Sequence, residues 1–338
     1  MKALQRFLIG LAILLALLVA ASFALPRTAH VERSATIGAP QATVFTVLNG
    51  FRQFRRWSPW SETDPDARYE FSGPAAGVGA RMRWSGNEAV GSGMQEIVES
   101  APFARIRVKL EFSGFEGTDS VATFTLARDG GTTRVTWALD ADFRANLAAR
   151  WFGLLFDRMV GPDYERGLER LKALAESLPQ TDFADLPMQL KDVPPMKAAF
   201  VATGSARDDR AVGVALGVAY GRISGFMNLK GLKETAPPVA VFEEAGAGSM
   251  RFDAGIPIDR TDVPAPAGIR YGETPSGLMV KAVHRGPYRA LSASHGKVAA
   301  FLAAAGYRRR GAPMEQYVTD PVTTPDTALV THLFYPVE

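Results

Sequence analysis

Residues 7–25 form a run rich in Leu, Ala, Ile and Val with no charged side chain, flanked by Lys2 and Arg6 before it and Pro26 and Arg27 after it. A backbone in hydrocarbon must satisfy its own N–H and C=O groups, so such a run has one stable form there, a helix, and about 20 residues suffice to cross. The competing reading is a cleaved signal peptide, since Ser22-Phe23-Ala24 offers small residues around a cleavage point after Ala24. The apolar core of a signal is usually about 7–15 residues, so length favours an uncleaved transmembrane anchor over residues 1–27. A positive N-terminal flank stays in the cytoplasm. The expectation is a single-pass protein of a bacterial inner membrane with its remaining chain on the periplasmic side.

The rest of the 338 residues can form two cores of ordinary size. The net charge of +3 is small and interspersed, which gives no reason to expect nucleic acid as a partner. There is no cysteine, so disulfides, thiol catalysis and cysteine-ligated metal are excluded. His30, His284, His295 and His332 show no metal-binding spacing and read as surface or half-buried residues, and neither G-x-S-x-G nor a phosphate-binding glycine loop is present. The glycines at 246–248 sit between two strand patterns and read as a hairpin. No cofactor and no metal are expected.

Residues 28–177 read as one α+β domain. A strand around Val31 to Ile37 precedes two short helices ending at Trp57-Ser58-Pro59-Trp60. Strict alternation follows: Ile106, Val108, Leu110 and Phe112 face one way, and Arg105, Arg107, Lys109 and Glu111 the other, as in an antiparallel sheet with one wet side. Val135, Trp137, Leu139, Ala141 and Phe143 repeat the pattern. A closing helix carries Leu147, Trp151, Leu154 and Leu155 at helical spacing, with an interruption expected at Gly161-Pro162 before Tyr164, Leu168, Leu171 and Ala175.

The opening Ile37-x-Ala39-Pro40-x-x-x-Val44-Phe45, the Trp57 to Trp60 motif and the glycine-punctuated stretch 77–86 resemble the polyketide cyclase and START-related (SRPBCC) superfamily. The resemblance implies a helix-grip fold, an antiparallel sheet gripping a long C-terminal helix, with an apolar cavity for a lipid or other hydrophobic ligand. Trp84, Phe112, Phe124, Trp137 and Trp151 would line it. No acid–base pair falls on the inward positions.

Residues 178–194 mix prolines, polar residues and isolated hydrophobes, and read as a link with little structure of its own. Residues 195–338 then repeat one strand–helix–strand–strand order twice. Laying the halves together sets Pro238-Val239-Ala240-Val241-Phe242 over Pro313-Met314-Glu315-Gln316-Tyr317. In an extended segment Glu315 and Tyr317 share a face. The second half thus has a carboxylate where the first has Ala240. A buried carboxylate must be paired or hydrogen-bonded, so it has either a resident partner or a cationic visitor.

His284-Arg285-Gly286-Pro287-Tyr288, Glu315-x-Tyr317 with Thr319-Asp320-Pro321, and Tyr335-Pro336-Val337 look like the GyrI-like small-molecule-binding domain, also found as the effector-binding part of AraC- and MerR-type regulators. The resemblance implies an aromatic cleft with one acidic residue, Glu315, receiving cationic or amphipathic molecules, with Tyr317 and Tyr288 beside it. No helix-turn-helix is present. Three functions follow as expectations: a membrane-tethered binding protein with two cavities, a hydrolase of reactive electrophiles using Glu315, or a lipid-handling protein with a sensor domain.

Overall fold

The structure, a computed structural model, describes residues 2–114, 117–243 and 248–338, so the expected hairpin at 246–248 falls in part outside the described residues. The chain divides into two compact units, Met1–Asp182 with Ala304–Gly306, and Phe183–Ala303 with Tyr307–Glu338.

In the first unit α1 (Lys2–Ala24) leads through three residues into β1 (Thr28–Ile37). Three short helices follow, α2 (Gln41–Leu48), α3 (Phe54–Trp57) and α4 (Trp60–Thr63). Then comes a meander of β2 (Arg68–Ser72), β3 (Arg81–Ser85), β4 (Ser92–Ala101), β5 (Arg105–Phe112), β6 (Asp119–Asp129) and β7 (Thr132–Asp142). The strand order β1-β7-β6-β5-β4-β3-β2 is antiparallel throughout, because each strand is joined to the next by a turn and β1 closes on β7. The inward side chains of β7, from Val135 to Ala141, are buried, as their alternation requires.

The closing helix differs from expectation. It breaks at Leu154-Leu155, into α5 (Leu147–Gly153) and α6 (Phe156–Ser177), and Pro162 lies inside α6. A proline in a helix interior costs about 3 kcal/mol. Tyr164, Leu168, Leu171, Leu174 and Ala175 are all buried against the sheet, and burying a large apolar side chain contributes about 1.5–3 kcal/mol, so the helix persists. Trp151, Leu154 and Leu155, read as the start of that inward stripe, are instead exposed.

The second unit contains β8 (Met188–Val193), β9 (Lys197–Ala206), α7 (Asp209–Lys230), β10 (Val239–Glu243), β11 (Ser249–Pro257), β12 (Arg270–Glu273), β13 (Gly277–Arg285), α8 (Leu291–Ala305), β14 (Met314–Tyr317) and β15 (Val330–Pro336). The segment expected as a structureless link therefore carries β8, which pairs with β13 while Leu186 beside it is buried. Isolated hydrophobes are enough for a short edge strand when the sheet supplies the other side of the ladder.

The sheet order β12-β9-β11-β10-β14-β15-β13-β8 is symmetric about the β10–β14 pair, so the duplicated units β9-α7-β10-β11 and β13-α8-β14-β15 meet at its centre. Both helices end at a left-handed glycine, Gly231 (φ 62°) and Gly306 (φ 75°). Ala240, Glu315 and Leu333 are cross-strand neighbours in one row. Ala240 belongs to the core under α7 and Leu333 to the core under α8. Both helices thus cover the same sheet face, with Glu315 between them. Met314 points the other way, into a cluster with Val239, Phe200, Met279 and Phe334.

Candidate functional site

Each unit holds a cavity. That of the first unit is about 440 Å³, a size suited to a small organic ligand. Its wall is built on Trp137, which stacks on Phe124 (centroids 5.1 Å apart) and Tyr164 (3.7 Å) and meets Trp57 edge-on (5.5 Å). Trp84 and Phe112 form another edge-to-face pair at 5.6 Å. Of the five aromatics expected at this cavity, Trp84, Phe112, Phe124 and Trp137 line it. Trp151 does not: its indole N–H donates to Ser22 Oγ at 2.7 Å, outside the cavity.

Polar groups are sparse on this wall. Gln95 Nε2 donates to Met82 Sδ at 3.8 Å, and Trp60 Nε1 donates to Asp163 Oδ2 at 3.2 Å. Asp163 is a lining carboxylate that periodicity did not mark, and it is already paired with Arg166. Burial raises the Tyr164 hydroxyl far above the ordinary phenol range, so it stays neutral.

The cavity of the second unit is larger, about 940 Å³, and is lined by Glu315, Tyr317, Tyr288, His295, Tyr335 and Tyr220 among others. Glu315 is 5% exposed. The shared strand face puts Tyr317 beside it, and the Tyr317 hydroxyl donates to Glu315 Oε2 at 2.7 Å. The other oxygen faces His295 Nε2 at 2.8 Å, and Nδ1 of the same ring meets the Tyr335 hydroxyl at 2.5 Å. A carboxylate only accepts, so Nε2–H is the donor; Tyr335 then donates to Nδ1 if the ring is neutral and accepts if it is imidazolium. Burial and the neighbouring Glu315 push the Tyr317 phenol well above its usual range, which keeps it a donor. Tyr288 contacts Tyr317 edge-to-face at 5.5 Å, and Tyr220 does so at 6.3 Å from the opposite helix.

His295 is the residue that reading the sequence missed. Its spacing from the other histidines reads as ordinary, yet it shares a face of α8 with Leu291 and Ser292, which also line the cavity. Two signals could have found it. One is that helical spacing, and the other is the duplication: Gly231 stands as far before Ala240 as Gly306 before Glu315, and by the same spacing Tyr220 corresponds to His295. On the facing helix Gly213 and Gly217 line the cavity with no side chain at all.

The charges around this cavity are unequal. Asp208, Glu234, Glu243, Glu315 and Asp320 line it against Arg207 and Arg309. Asp208 and Asp320 accept backbone N–H bonds from Ala211 and Val322, and burial raises the Glu234 carboxyl. Among the described residues no three His, Asp or Glu side chains converge as metal ligands.

Residues 28–176 match the family model described as polyketide cyclase / dehydrase and lipid transport, and residues 186–338 match that of the GyrI-like small molecule binding domain. No curated protein matches the chain. Among solved structures, the C-terminal domain of EcmrR is 17% identical, with 45% of this chain and 98% of that chain covered and a TM-score of 0.40. A hydrolase from Listeria innocua is 16% identical (45% and 91% covered, TM-score 0.34), and Ara h 8.0201 is 10% identical (44% and 99% covered, TM-score 0.32). Helix α1 is long and apolar enough to cross a membrane, a property that anchors and signal sequences share. The chain therefore joins a domain of the polyketide cyclase / dehydrase and lipid transport family to a GyrI-like small-molecule-binding domain.

Proposed function

We propose that the chain is a membrane-tethered small-molecule-binding protein whose second domain captures cationic or amphipathic organic molecules at Glu315, while its first domain holds a neutral hydrophobic ligand. The observation that carries this reading is the buried Glu315 carboxylate, whose two oxygens are each met by one resident donor, in a cavity with an excess of acidic lining residues. A carboxylate has about four acceptor positions, so Tyr317 and His295 leave room for a third donor arriving with a positive charge. The surrounding phenols supply faces for a flat cation. Helix α1 is the anchor, with both domains on the periplasmic side.

The test is a titration of the full chain in lipid nanodiscs with a lipophilic cationic dye, before and after Glu315→Gln. Loss of the charged partner weakens binding by about 1–3 kcal/mol. Equal affinity in both proteins would remove the electrostatic half of the proposal.

A second reading is supported by the Glu315–His295–Tyr335 chain of hydrogen bonds, which joins a carboxylate, an imidazole and a phenol at one cavity wall. Such a chain can hold and pass a proton, as hydrolysis of a reactive electrophile requires. Incubation with strained or alkylating compounds, followed by mass spectrometry, separates the two: turnover favours the hydrolase, and stoichiometric retention favours the binder.

A further inference from the structure

The break between α5 and α6 leaves an apolar surface that neither the sheet nor α6 covers. Trp151, Phe152, Leu154, Leu155 and Met159 are exposed there, the last four by half or more. This surface is fixed to the end of α1. Trp151 Nε1 donates to Ser22 Oγ at 2.7 Å, Ser22 Oγ donates to Leu18 O at 2.8 Å, and Arg150 Nη1 donates to Ser22 O at 3.3 Å. Ser22 is buried on a helix that is otherwise exposed along its described length. The short lead into β1 is pinned by Arg27, which is paired with Asp142 at 2.8 Å.

Leu4–Ala24 rises roughly 31 Å at 1.5 Å per residue, and the hydrocarbon core is about 30 Å thick. With α1 across the bilayer, its last turn lies at the boundary, and so does any side chain bonded to Ser22. That level is where tryptophan and its amphipathic ring are enriched. Arg158, exposed among the apolar side chains, is placed for a phosphate headgroup, while Arg150 beside them is held by the Ser22 and Arg144 carbonyls.

The same segment forms part of the first cavity. Phe152, Phe156, Met159 and Val160 line it, and Phe152 and Met159 are at once lining and exposed, so they make a rim. We propose that the segment from Trp151 to Met159 is a bilayer-docking surface, and that it opens the first cavity toward the leaflet so that the acyl chain of a membrane lipid enters without crossing water. The proposal rests on the reading of α1 as an uncleaved anchor.

The chain has no cysteine, so single cysteines introduced for labelling are unique. Nitroxide labels at L155C, at L14C in α1 and at V78C, exposed on the glycine-rich loop between β2 and β3, are compared in proteoliposomes of the full chain, by their access to oxygen and to a water-soluble nickel chelate. The expected result is loss of chelate access at positions 14 and 155 and free access at 78. A label at 14 in the bilayer with one at 155 in water overturns the docking surface and leaves the anchor standing; a label at 14 in water overturns both. A second measurement follows a fluorescent acyl lipid into the first cavity by energy transfer from tryptophan. The double variant Leu154→Asp, Leu155→Asp, at exposed positions, is expected to lose rapid uptake from its own bilayer and keep uptake of monomeric probe from solution. Uptake from the bilayer at the wild-type rate would overturn the route through this surface.

Discussion

The two cavities are both walled by aromatic rings, but the rings do different things. In the first unit indole, phenol and phenyl faces pack on one another around Trp137, and few polar atoms reach the wall, among them Trp60 Nε1 donating to Asp163. In the second the Tyr317 hydroxyl donates to a carboxylate that sits where its duplicated counterpart has Ala240, and Tyr335 meets the histidine on that carboxylate's other oxygen. A wall of the first kind discriminates by shape and volume, since apolar burial is non-directional. A wall of the second kind discriminates by charge, because an ion in a low-dielectric site interacts far more strongly than in water.

The largest expected effect comes from the aromatic stack. Trp137→Ala removes the ring held between Phe124 and Tyr164 and should destabilise the first unit by about 3–5 kcal/mol, the usual range for a buried aromatic. Denaturation followed by a probe in each unit should show the first transition moved and the second unmoved. A shift of both together would mean that the units unfold as one.

Smaller effects belong to the second cavity. Tyr317→Phe takes the donor from Glu315 Oε2 and leaves the ring packing in place; a hydrogen bond to a charged group contributes about 1.5–3 kcal/mol. The second transition should fall by that amount, and a cationic ligand should recover part of it by supplying the missing donor. No loss of stability would mean that Glu315 is not held as a carboxylate by its neighbours.

Alkaline pH sharpens the contrast without a mutation. Burial raises the phenols of Tyr220, Tyr288, Tyr317 and Tyr335 in the second unit, with Glu315 adding to each shift. In the first unit Tyr164 is raised in the same sense. Above about pH 10, the ordinary tyrosine value, the unfolded chain releases protons that the folded chain keeps. Stability present below that pH is then lost as pH rises, more steeply where more phenols are affected. The second transition should decline faster than the first in a pH series of denaturation curves; parallel decline would contradict the burial of the four phenols.

The sequence made the strands of both sheets legible for a physical reason: one covered face imposes alternation, and Ile106 to Phe112 or Val135 to Phe143 can be read directly. The duplication was legible because both halves keep the same spacing around Ala240 and Glu315. Three features were not. His295 reaches Glu315 across tertiary distance, and no local pattern states that α8 leans over β14. The edge strand β8 has too few hydrophobes to announce itself, since its ladder is supplied by β13. The stripe of Leu147, Trp151, Leu154 and Leu155 has helical spacing, but spacing does not say which way a stripe faces, and part of it faces outward beside α1.

Charge selection is expected to reside in the second cavity alone. Its most direct measurement is the affinity ratio between a lipophilic cation and its neutral isostere, determined by calorimetry on the full chain in nanodiscs and on Glu315→Gln. The wild-type chain is expected to prefer the cation by about tenfold to a hundredfold, at about 1.4 kcal/mol per factor of ten, Glu315→Gln to lose this preference, and the neutral molecule to bind both proteins alike. An unchanged ratio in Glu315→Gln would contradict it.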